Sequence, residues 1–121
     1  MKSKQTRIEV KKIISRLAKE SNKRKEKLWK DLAERINKPR RNIAKTNIWK
    51  IEKIAKKNKD KVIVVPGKVL SEGQLTQKVE IAALDFSGKA KEKIISMKGN
   101  ALSLNELLDK KIEAKKIIIV K

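Results

Sequence analysis

Residues 64–90 read VVPGKVLSEGQLTQKVEIAALDFSGKA, and this stretch carries the clearest signals for secondary structure in the chain. The apolar run at residues 62–65 predicts a strand that is buried on both faces. Pro66-Gly67 ends or bends that strand before the chain resumes an extended course, and Gly73 marks a turn. A second apolar strand is predicted over residues 79–86. These strands predict a sheet at the centre of the fold.

Helical signals follow the second strand. Ser87 is the predicted N-cap of a helix that ends before Gly99, which stands where a C′ glycine is usual. The segment SLNE at residues 103–106 predicts a capping box that opens a short helix. A last apolar strand is predicted at residues 117–120. Strands and helices that alternate in this way predict an α/β layer.

The N-terminal half predicts three helices. Apolar residues at spacings of three and four predict the first helix over about residues 6–20. The second helix is expected to stop before Pro39 and to bury one apolar stripe: Leu28, Trp29, Leu32, Ala33 and Ile36. Asn47 is the predicted N-cap of the third helix. Between the second and third helices, residues 37–47 (NKPRRNIAKTN) are predicted to form an irregular basic loop.

Positive charge is concentrated in the first half of this chain, whose 121 residues carry a net charge of +20. Residues 1–61 hold 23 Lys and Arg against 7 Asp and Glu, whereas residues 62–121 hold 11 against 7. Self-repulsion on this scale favours a polyanionic partner, and nucleic acid is the leading one because phosphate contacts release counterions. We expect one compact unit made of a basic helical, nucleic-acid-binding arm over residues 1–61 and an α/β core over residues 62–121.

The residue types in the chain argue against most catalytic and metal chemistry. The chain has neither histidine nor cysteine, so a Ser-His-Asp triad and a thiolate metal site are excluded. Gly67 and Gly73 are six residues apart and Gln74 follows the second, which does not match a phosphate-binding loop. We therefore expect no enzyme activity, no metal and no cofactor. The apolar runs are too short to span a bilayer, and the first residues lack the apolar core of a signal peptide, so we expect a soluble intracellular protein.

Basic side chains and free amides are the remaining candidates for nucleic-acid contact. Arginine grips phosphate in bidentate fashion, and helix N-termini present free N–H groups to anions. Solvated charge runs and ordinary helix capping are the structural alternatives. Trp49 falls off its helix stripe, which leaves open both contact with RNA or a neighbouring protein and a half-buried structural role. Trp29 and Phe86 are expected in the core. The candidate contact residues are Lys2, Lys4, Arg7, Lys11, Lys12, Arg24, Arg40, Arg41, Asn42, Lys45, Trp49, Lys68 (on the turn after Pro66-Gly67), Ser87 and Lys89.

Two segments resemble a known family. Residues 64–94, VVPGKVLSEGQLTQKVEIAALDFSGKAKEKI, resemble the core of the archaeal and eukaryotic ribosomal protein family written L-eighteen-e, and are more distantly similar to bacterial ribosomal protein L-fifteen. Residues 37–55, NKPRRNIAKTNIWKIEKIA, resemble the basic signature segment of that family, although Ile43 and Thr46 depart from its usual residues.

The resemblance implies an α/β domain with a small, largely parallel sheet, flanking helices and a basic helical N-terminal extension that penetrates rRNA. It implies a structural role in the large ribosomal subunit, in the cytoplasm. The implied partners are large-subunit rRNA and neighbouring ribosomal proteins, with no membrane and no small-molecule substrate. The alternative hypothesis is a small basic DNA-binding chromatin protein.

Overall fold

The computed structural model describes residues 7–37 and 43–120, and side chains from residue 9 onward. An α-helical pair opens the chain, and short strands then alternate with helices. In chain order the elements are α1 (Arg7–Arg24), α2 (Lys27–Ile36), β1 (Ala44–Asn47), α3 (Ile48–Lys57), β2 (Val62–Leu70), β3 (Glu80–Phe86), α4 (Gly88–Ser96), β4 (Asn100–Ser103), α5 (Leu104–Asp109), a 3-10 turn (Ala114–Lys116) and β5 (Ile117–Ile119).

The described strands form one five-stranded sheet in which every pairing is parallel. β2 pairs with β3 along one edge, and β4 lies beyond β3. The other edge of β2 has two neighbours placed end to end. β5 covers its first residues and β1 covers Gly67–Leu70. The predicted α/β class with a small, largely parallel sheet is confirmed.

β2 excludes one of the two outcomes predicted for Pro66-Gly67, the end of the strand. The strand runs without a break from Val62 to Leu70, and the pair sits at a register shift between Val65 and Lys68. Gly67 is therefore not a turn residue. A Cβ at Gly67 would lie 1.9 Å from the carbonyl oxygen of Ala44, so glycine is required here because β1 approaches so closely.

The sheet separates two apolar clusters, as the alternation of side chains along each strand requires. Val62 and Val64 face the first side, where α1, α2 and α5 pack. Ile63 and Val65 face the second side, where α3 and α4 pack together with the loop of residues 71–79. The central residues of β2 are thus buried on both faces, which confirms the prediction made from their unbroken apolar run.

The helix predictions hold with changes at their ends. α2 buries the predicted stripe and ends before Pro39, while α1 extends past the predicted end to Arg24. The Ser87 hydroxyl accepts from the Ala90 amide at 3.2 Å, and the Ser103–Glu106 capping box is present. At the end of α4 the left-handed residue is Lys98 (φ 63°) rather than Gly99. Gly99 is required for space instead, because a Cβ there would lie 2.2 Å from the Val79 carbonyl oxygen.

Two short strands correct the prediction of loops. β1 occupies the end of the segment predicted to be an irregular basic loop, and β4 lies where no strand was predicted. Each has four residues and pairs with one neighbour among the described residues. Their sequences, AKTN and NALS, lack an apolar run. Backbone hydrogen bonds to the neighbouring strand hold such a strand at the edge of the sheet, so an apolar run is not required.

Candidate nucleic-acid interface

α1 carries a group of exposed cations on the face that points away from the sheet. Ile13 and Leu17 are buried in the first apolar cluster, and this fixes which face of the helix points outward. The outward face is an open depression of about 400 Å³ lined by Lys11, Lys12, Ser15, Arg16 and Lys19. Within the described part of the chain, no carboxylate lies within ion-pair distance of the three lysines. Their charge is therefore available to an external anion.

The structure brings the predicted residues Lys11 and Lys12 together with three residues that the sequence reasoning missed, Ser15, Arg16 and Lys19. The missed signal is helical spacing. Residues four apart on a helix share a face, so positions 11, 15 and 19 follow from the buried positions 13 and 17. Arg16 has a second role, because its guanidinium donates to the Asn105 side-chain oxygen at 3.1 Å and pairs with Asp109 of α5.

Arg24, a predicted contact, is engaged inside the protein. Its Nε lies 2.7 Å from Glu20 Oε2, and its Nη1 donates to the carbonyl oxygen of Ile112 at 3.0 Å. The guanidinium also stacks over the Trp29 ring, 4.9 Å from the centroid. The side chain is about four-fifths buried. This arginine joins α1 and α2 to the C-terminal segment.

Lys45 and Lys68 are brought together by the pairing of β1 with β2, in which they are direct cross-strand partners. Lys68 lies inside a strand and not on the predicted turn, because β2 continues through Pro66-Gly67. Its ammonium lies 3.9 Å from Asp85 Oδ2, so part of its charge is neutralised internally. Lys45 is exposed, and no ion pair of this side chain occurs among the described residues.

The start of α4 presents Ser87 and Lys89. The Ser87 hydroxyl oxygen is occupied as the N-cap, and the Ser87 amide donates to the Val69 carbonyl oxygen at 2.9 Å. Lys89 is exposed in the first turn. Ser87 thus has a structural role in capping, and the exposed lysine is the group that can meet an anion from outside.

The two tryptophans have different environments. Trp29 is fully buried and its indole Nε1 donates to Glu26 Oε1 at 2.8 Å, which confirms the expected packing role. Phe86 is partly buried against the second cluster. Trp49 is 47 % exposed in the first turn of α3, and the Lys53 ammonium lies 5.3 Å from its ring centroid. Trp49 thus lies on a helix of the second side of the sheet, whereas the α1 depression lies on the first side.

Glu52 holds the loop of residues 71–79 on the second side. Its buried carboxylate accepts from the Thr76 amide at 3.2 Å, from the Thr76 hydroxyl, and from Gln77 Nε2 at 3.2 Å. Burial acts to raise the pKa of Glu52, but these hydrogen bonds and the Lys56 charge outweigh it, and the pKa lies below its ordinary value of 4.5. Glu52 is thus an ionised structural anchor at neutral pH.

Some predicted contacts lie outside the described residues: Lys2, Lys4, Arg40, Arg41, Asn42 and the side chain of Arg7. Within residues 7–37 and 43–120, no group of three or more acidic side chains is placed to hold a metal ion. None of the helices in the described part combines the length and apolar character needed to cross a membrane.

Comparison with known proteins gives the family. The profile described as "Ribosomal protein 60S L18 and 50S L18e" matches residues 1–121, the whole chain. The chain belongs to this family. Large ribosomal subunit protein eL18 of Archaeoglobus fulgidus is 48% identical over 96 residues, which cover 79% of this chain and 80% of that protein.

Other archaeal members of the eL18 family match over nearly their full length. The Methanopyrus kandleri protein of the same name is 36% identical over 118 residues, covering 95% of this chain and 93% of that protein. The Sulfurisphaera tokodaii protein of the same name is 42% identical over 116 residues, covering 96% and 93%. The resemblance noted in the sequence is therefore confirmed across both quoted segments. Members of this family are ribosomal proteins of the cytoplasm with a structural role.

Proposed function

We propose that this chain is a structural constituent of the large ribosomal subunit and stabilises rRNA through contacts with phosphate groups. The family match and the names of the archaeal relatives support the ribosomal part of the proposal. The exposed lysines of α1, which form no ion pair within residues 7–37 and 43–120, support the RNA-binding part. Large-subunit rRNA and neighbouring ribosomal proteins are the proposed partners, and the chain needs no catalytic group for this role.

The outward face of α1 is the observation that carries the proposed mode of binding. Lys11, Lys12 and Lys19 border one depression and have no carboxylate partner in the part of the chain that the structure describes, and Ser15 adds a hydroxyl donor between them. Each ammonium that replaces a condensed counterion on RNA releases that ion and gains free energy without reading sequence. The buried face of the same helix, with Ile13 and Leu17, holds these lysines on the rigid sheet.

Further contacts are proposed at the loop before β1 and at two exposed lysines. Arg40 and Arg41 supply the bidentate donors that suit phosphate, with Asn42 beside them. Lys45 and Lys89 are exposed and extend the basic surface to the sheet edge and to the second side. The N-terminal cations Lys2, Lys4 and Arg7 complete the set. Arg24 and Lys68 are left out because their charges are engaged by carboxylates of the chain itself.

The salt dependence of rRNA binding tests this proposal. If six to ten phosphates are contacted, affinity is expected to fall by roughly 10³- to 10⁵-fold between about 50 and 200 mM salt. Replacing Lys11, Lys12 and Lys19 together by Gln is expected to reduce the slope of log affinity against log salt by about 2 to 3. The matched control removes three exposed lysines that belong to no proposed contact, Lys59, Lys91 and Lys98. Equal loss of slope in both variants contradicts a surface centred on α1.

The loop arginines are tested by incorporation into subunits. Arg40→Ala with Arg41→Ala is expected to reduce co-sedimentation with large subunits while the melting curve stays that of the wild type. Lysine at both positions is expected to restore only part of the loss, because the charge returns without the bidentate geometry. A double-alanine variant at wild-type occupancy contradicts this contact.

Binding to chromosomal DNA through a helix-turn-helix has no support in the fold. That motif joins its two helices by a short turn. Here α2 and α3 are separated by residues 37–47, and the last four of these form a sheet strand. Recovery of the protein with the nucleoid, rather than with large subunits in a sucrose gradient, would nevertheless contradict the ribosomal role.

A further inference from the structure

Trp49 is the exposed aromatic residue that the packing of the described fold does not use. Ile48 and Ile51 turn into the second apolar cluster, so α3 is anchored without the indole. Trp49 keeps 47 % of its surface accessible, whereas Trp29 is completely buried. A large aromatic side chain left in water forfeits the burial free energy that most aromatic residues gain, which points to a partner.

The backbone holds Trp49 in a fixed position. Its amide donates to the Glu72 carbonyl oxygen at 2.9 Å, and the Glu72 amide donates in return to Asn47 Oδ1 at 3.2 Å. Gly73 presses against the same residue, since a Cβ on Gly73 would lie 2.5 Å from the Trp49 nitrogen. The Lys93 ammonium fixes that loop through the carbonyl oxygens of Ser71 and Gly73, at 2.6 and 2.7 Å. A partner of Trp49 therefore meets an ordered backbone, which lowers the entropic cost of binding.

The charge around the indole identifies the chemistry of the partner. The Lys53 ammonium lies over the ring at 5.3 Å, and Lys57 is exposed one turn further along α3, whereas the Lys56 ammonium lies 3.8 Å from Glu52 Oε2. The carboxylate of this helix, Glu52, is buried and occupied by the loop. An apolar protein surface laid on Trp49 has to desolvate the Lys53 ammonium without a counter-charge, which is costly. A nucleotide offers a flat base to the ring and a phosphate to the lysines.

We propose that Trp49 is a stacking site for an unpaired RNA base, with Lys53 and Lys57 of α3 receiving the adjacent phosphates. The inference rests on the proposed rRNA binding and adds a second kind of contact to it, on the opposite side of the sheet from α1. Bases inside a duplex are stacked on each other, so the site takes a nucleotide of a loop, bulge or strand end. Every base has a flat face, and the site therefore discriminates little between sequences.

Oligonucleotide binding tests the proposal with two variants of Trp49 and one matched control. The probes are a single-stranded RNA of ten nucleotides, an RNA duplex with the same number of phosphates, and inorganic polyphosphate. Trp49→Ala is expected to weaken binding of the single strand by roughly 5- to 150-fold. Its binding of duplex and polyphosphate is expected to stay within about twofold of wild type. Trp49→Phe is expected to lose less affinity for the single strand than Trp49→Ala does. Ile95→Ala, which removes an equally exposed side chain from α4, is expected to change none of these affinities.

Fluorescence separates stacking from charge effects. Trp29 is buried, so the difference between wild type and Trp49→Phe reports the exposed indole. Quenching of this signal by the single strand but not by polyphosphate is expected. Unchanged single-strand affinity in Trp49→Ala, or absence of quenching, overturns the stacking site while leaving the salt-dependent binding through α1 intact. If Trp49→Ala binds the oligonucleotides normally but is excluded from large subunits, Trp49 contacts a protein neighbour, and this result also overturns the stacking site. Failure of the wild type to bind rRNA contradicts the proposed function itself.

Discussion

The two sides of the sheet use charged residues differently. On the first side, α1, α2 and α5 cover the strands through apolar contacts, and Lys11, Lys12 and Lys19 of α1 form no ion pair with another described residue. On the second side, the strands are covered by α3, α4 and the loop of residues 71–79 together. Charged groups hold that loop in place, because Glu52 and Lys93 both form hydrogen bonds with it. Charged groups of the second side thus hold a loop, whereas on the first side Arg24 joins helices to the C-terminal segment and three lysines of α1 have no ion pair among the described residues.

The connection from β2 to β3 explains the difference. Parallel strands need a crossover connection, which is usually a helix of a dozen or more residues. Here residues 71–79 make the crossing without a helix, and Leu75 and Val79 are the residues of the segment that are buried. Backbone groups that a helix would pair internally need other partners in such a segment. Glu52 and Lys93 supply them, from the two helices that border the loop.

The largest expected effect is at the point where the chain passes from the first side to the second. β1 lies between α2 and α3, and its Ala44 carbonyl oxygen occupies the space above Gly67. Gly67→Ala is expected to displace β1 and to lower the free energy of unfolding by about 3 kcal/mol. Urea denaturation of the purified variant measures this loss.

Gly88→Ala is the matched control for that substitution. Gly88 begins α4, and a Cβ there meets no atom within 4 Å. Its free energy of unfolding is expected to be equal to or slightly above that of the wild type, since alanine favours a helix. Equal losses at the two glycines would contradict the close approach of β1.

The second prediction compares the hydrogen bonds of Glu52 on the second side with the ion pair of Arg16 on the first. Glu52→Ala removes the acceptor of three hydrogen bonds in a buried position and is expected to cost about 2 kcal/mol. Arg16→Ala removes the ion pair with Asp109 from an exposed position and is expected to cost about 0.5 kcal/mol. Hydrogen exchange of the amides in residues 71–79 is expected to accelerate in the first variant and not in the second. A larger loss for Arg16→Ala would reverse the comparison.

Acid provides a third, smaller test through the same carboxylate. The pKa of Glu52 is lower in the folded chain than its ordinary value of 4.5, because hydrogen bonds from Thr76 and Gln77 outweigh the effect of burial. Ionised Glu52 therefore stabilises the fold fully above about pH 4.5, and this contribution is lost as the pH falls through the lowered folded value. Glu52→Gln is expected to lose less stability than wild type over that acid range. Parallel stability curves for the two proteins would show that Glu52 does not titrate with unfolding.

Local signals predicted those parts of the fold that are local in origin. The stripe of α2, the Ser87 cap and the Ser103–Glu106 capping box depend on residues within one turn of each other, and each is confirmed. β1 and β4 depend on the backbone of a neighbouring strand, so their short sequences, which lack an apolar run, do not predict them.

Gly67 and Gly99 were recognised as special but were explained wrongly. Their requirement is lack of space beside a distant carbonyl oxygen, and the sequence shows only the glycine. The candidate contact residues likewise include some that local sequence predicts and some whose environment depends on distant residues. Lys11 and Lys12 followed from composition, whereas the internal pairing of Arg24 and Lys68 arises from tertiary contacts with residues such as Ile112 and Asp85.

The smallest expected effect on stability concerns the unpaired lysines of α1. Lys11, Lys12 and Lys19 make no ion pair within the described residues, so replacing all three by Gln removes repulsion and no attractive contact. With a net charge of +20 in the wild type, the free energy of unfolding is expected to rise by up to about 0.5 kcal/mol at low salt. Above about 0.5 M salt this gain is expected to disappear, because the Debye length becomes shorter than the spacing of most surface charges.

The same triple variant is expected to bind rRNA more weakly even though it is no less stable. Replacing a residue that stabilises the fold lowers both the stability and the RNA affinity of the protein. Replacing a residue that only contacts a partner lowers the affinity alone. Urea denaturation and rRNA titration on one preparation, at the same two salt concentrations, separate these cases. Loss of stability in the triple variant at low salt would show that the lysines of α1 stabilise the folded chain, and the contrast between the two sides of the sheet would then fail on its first side.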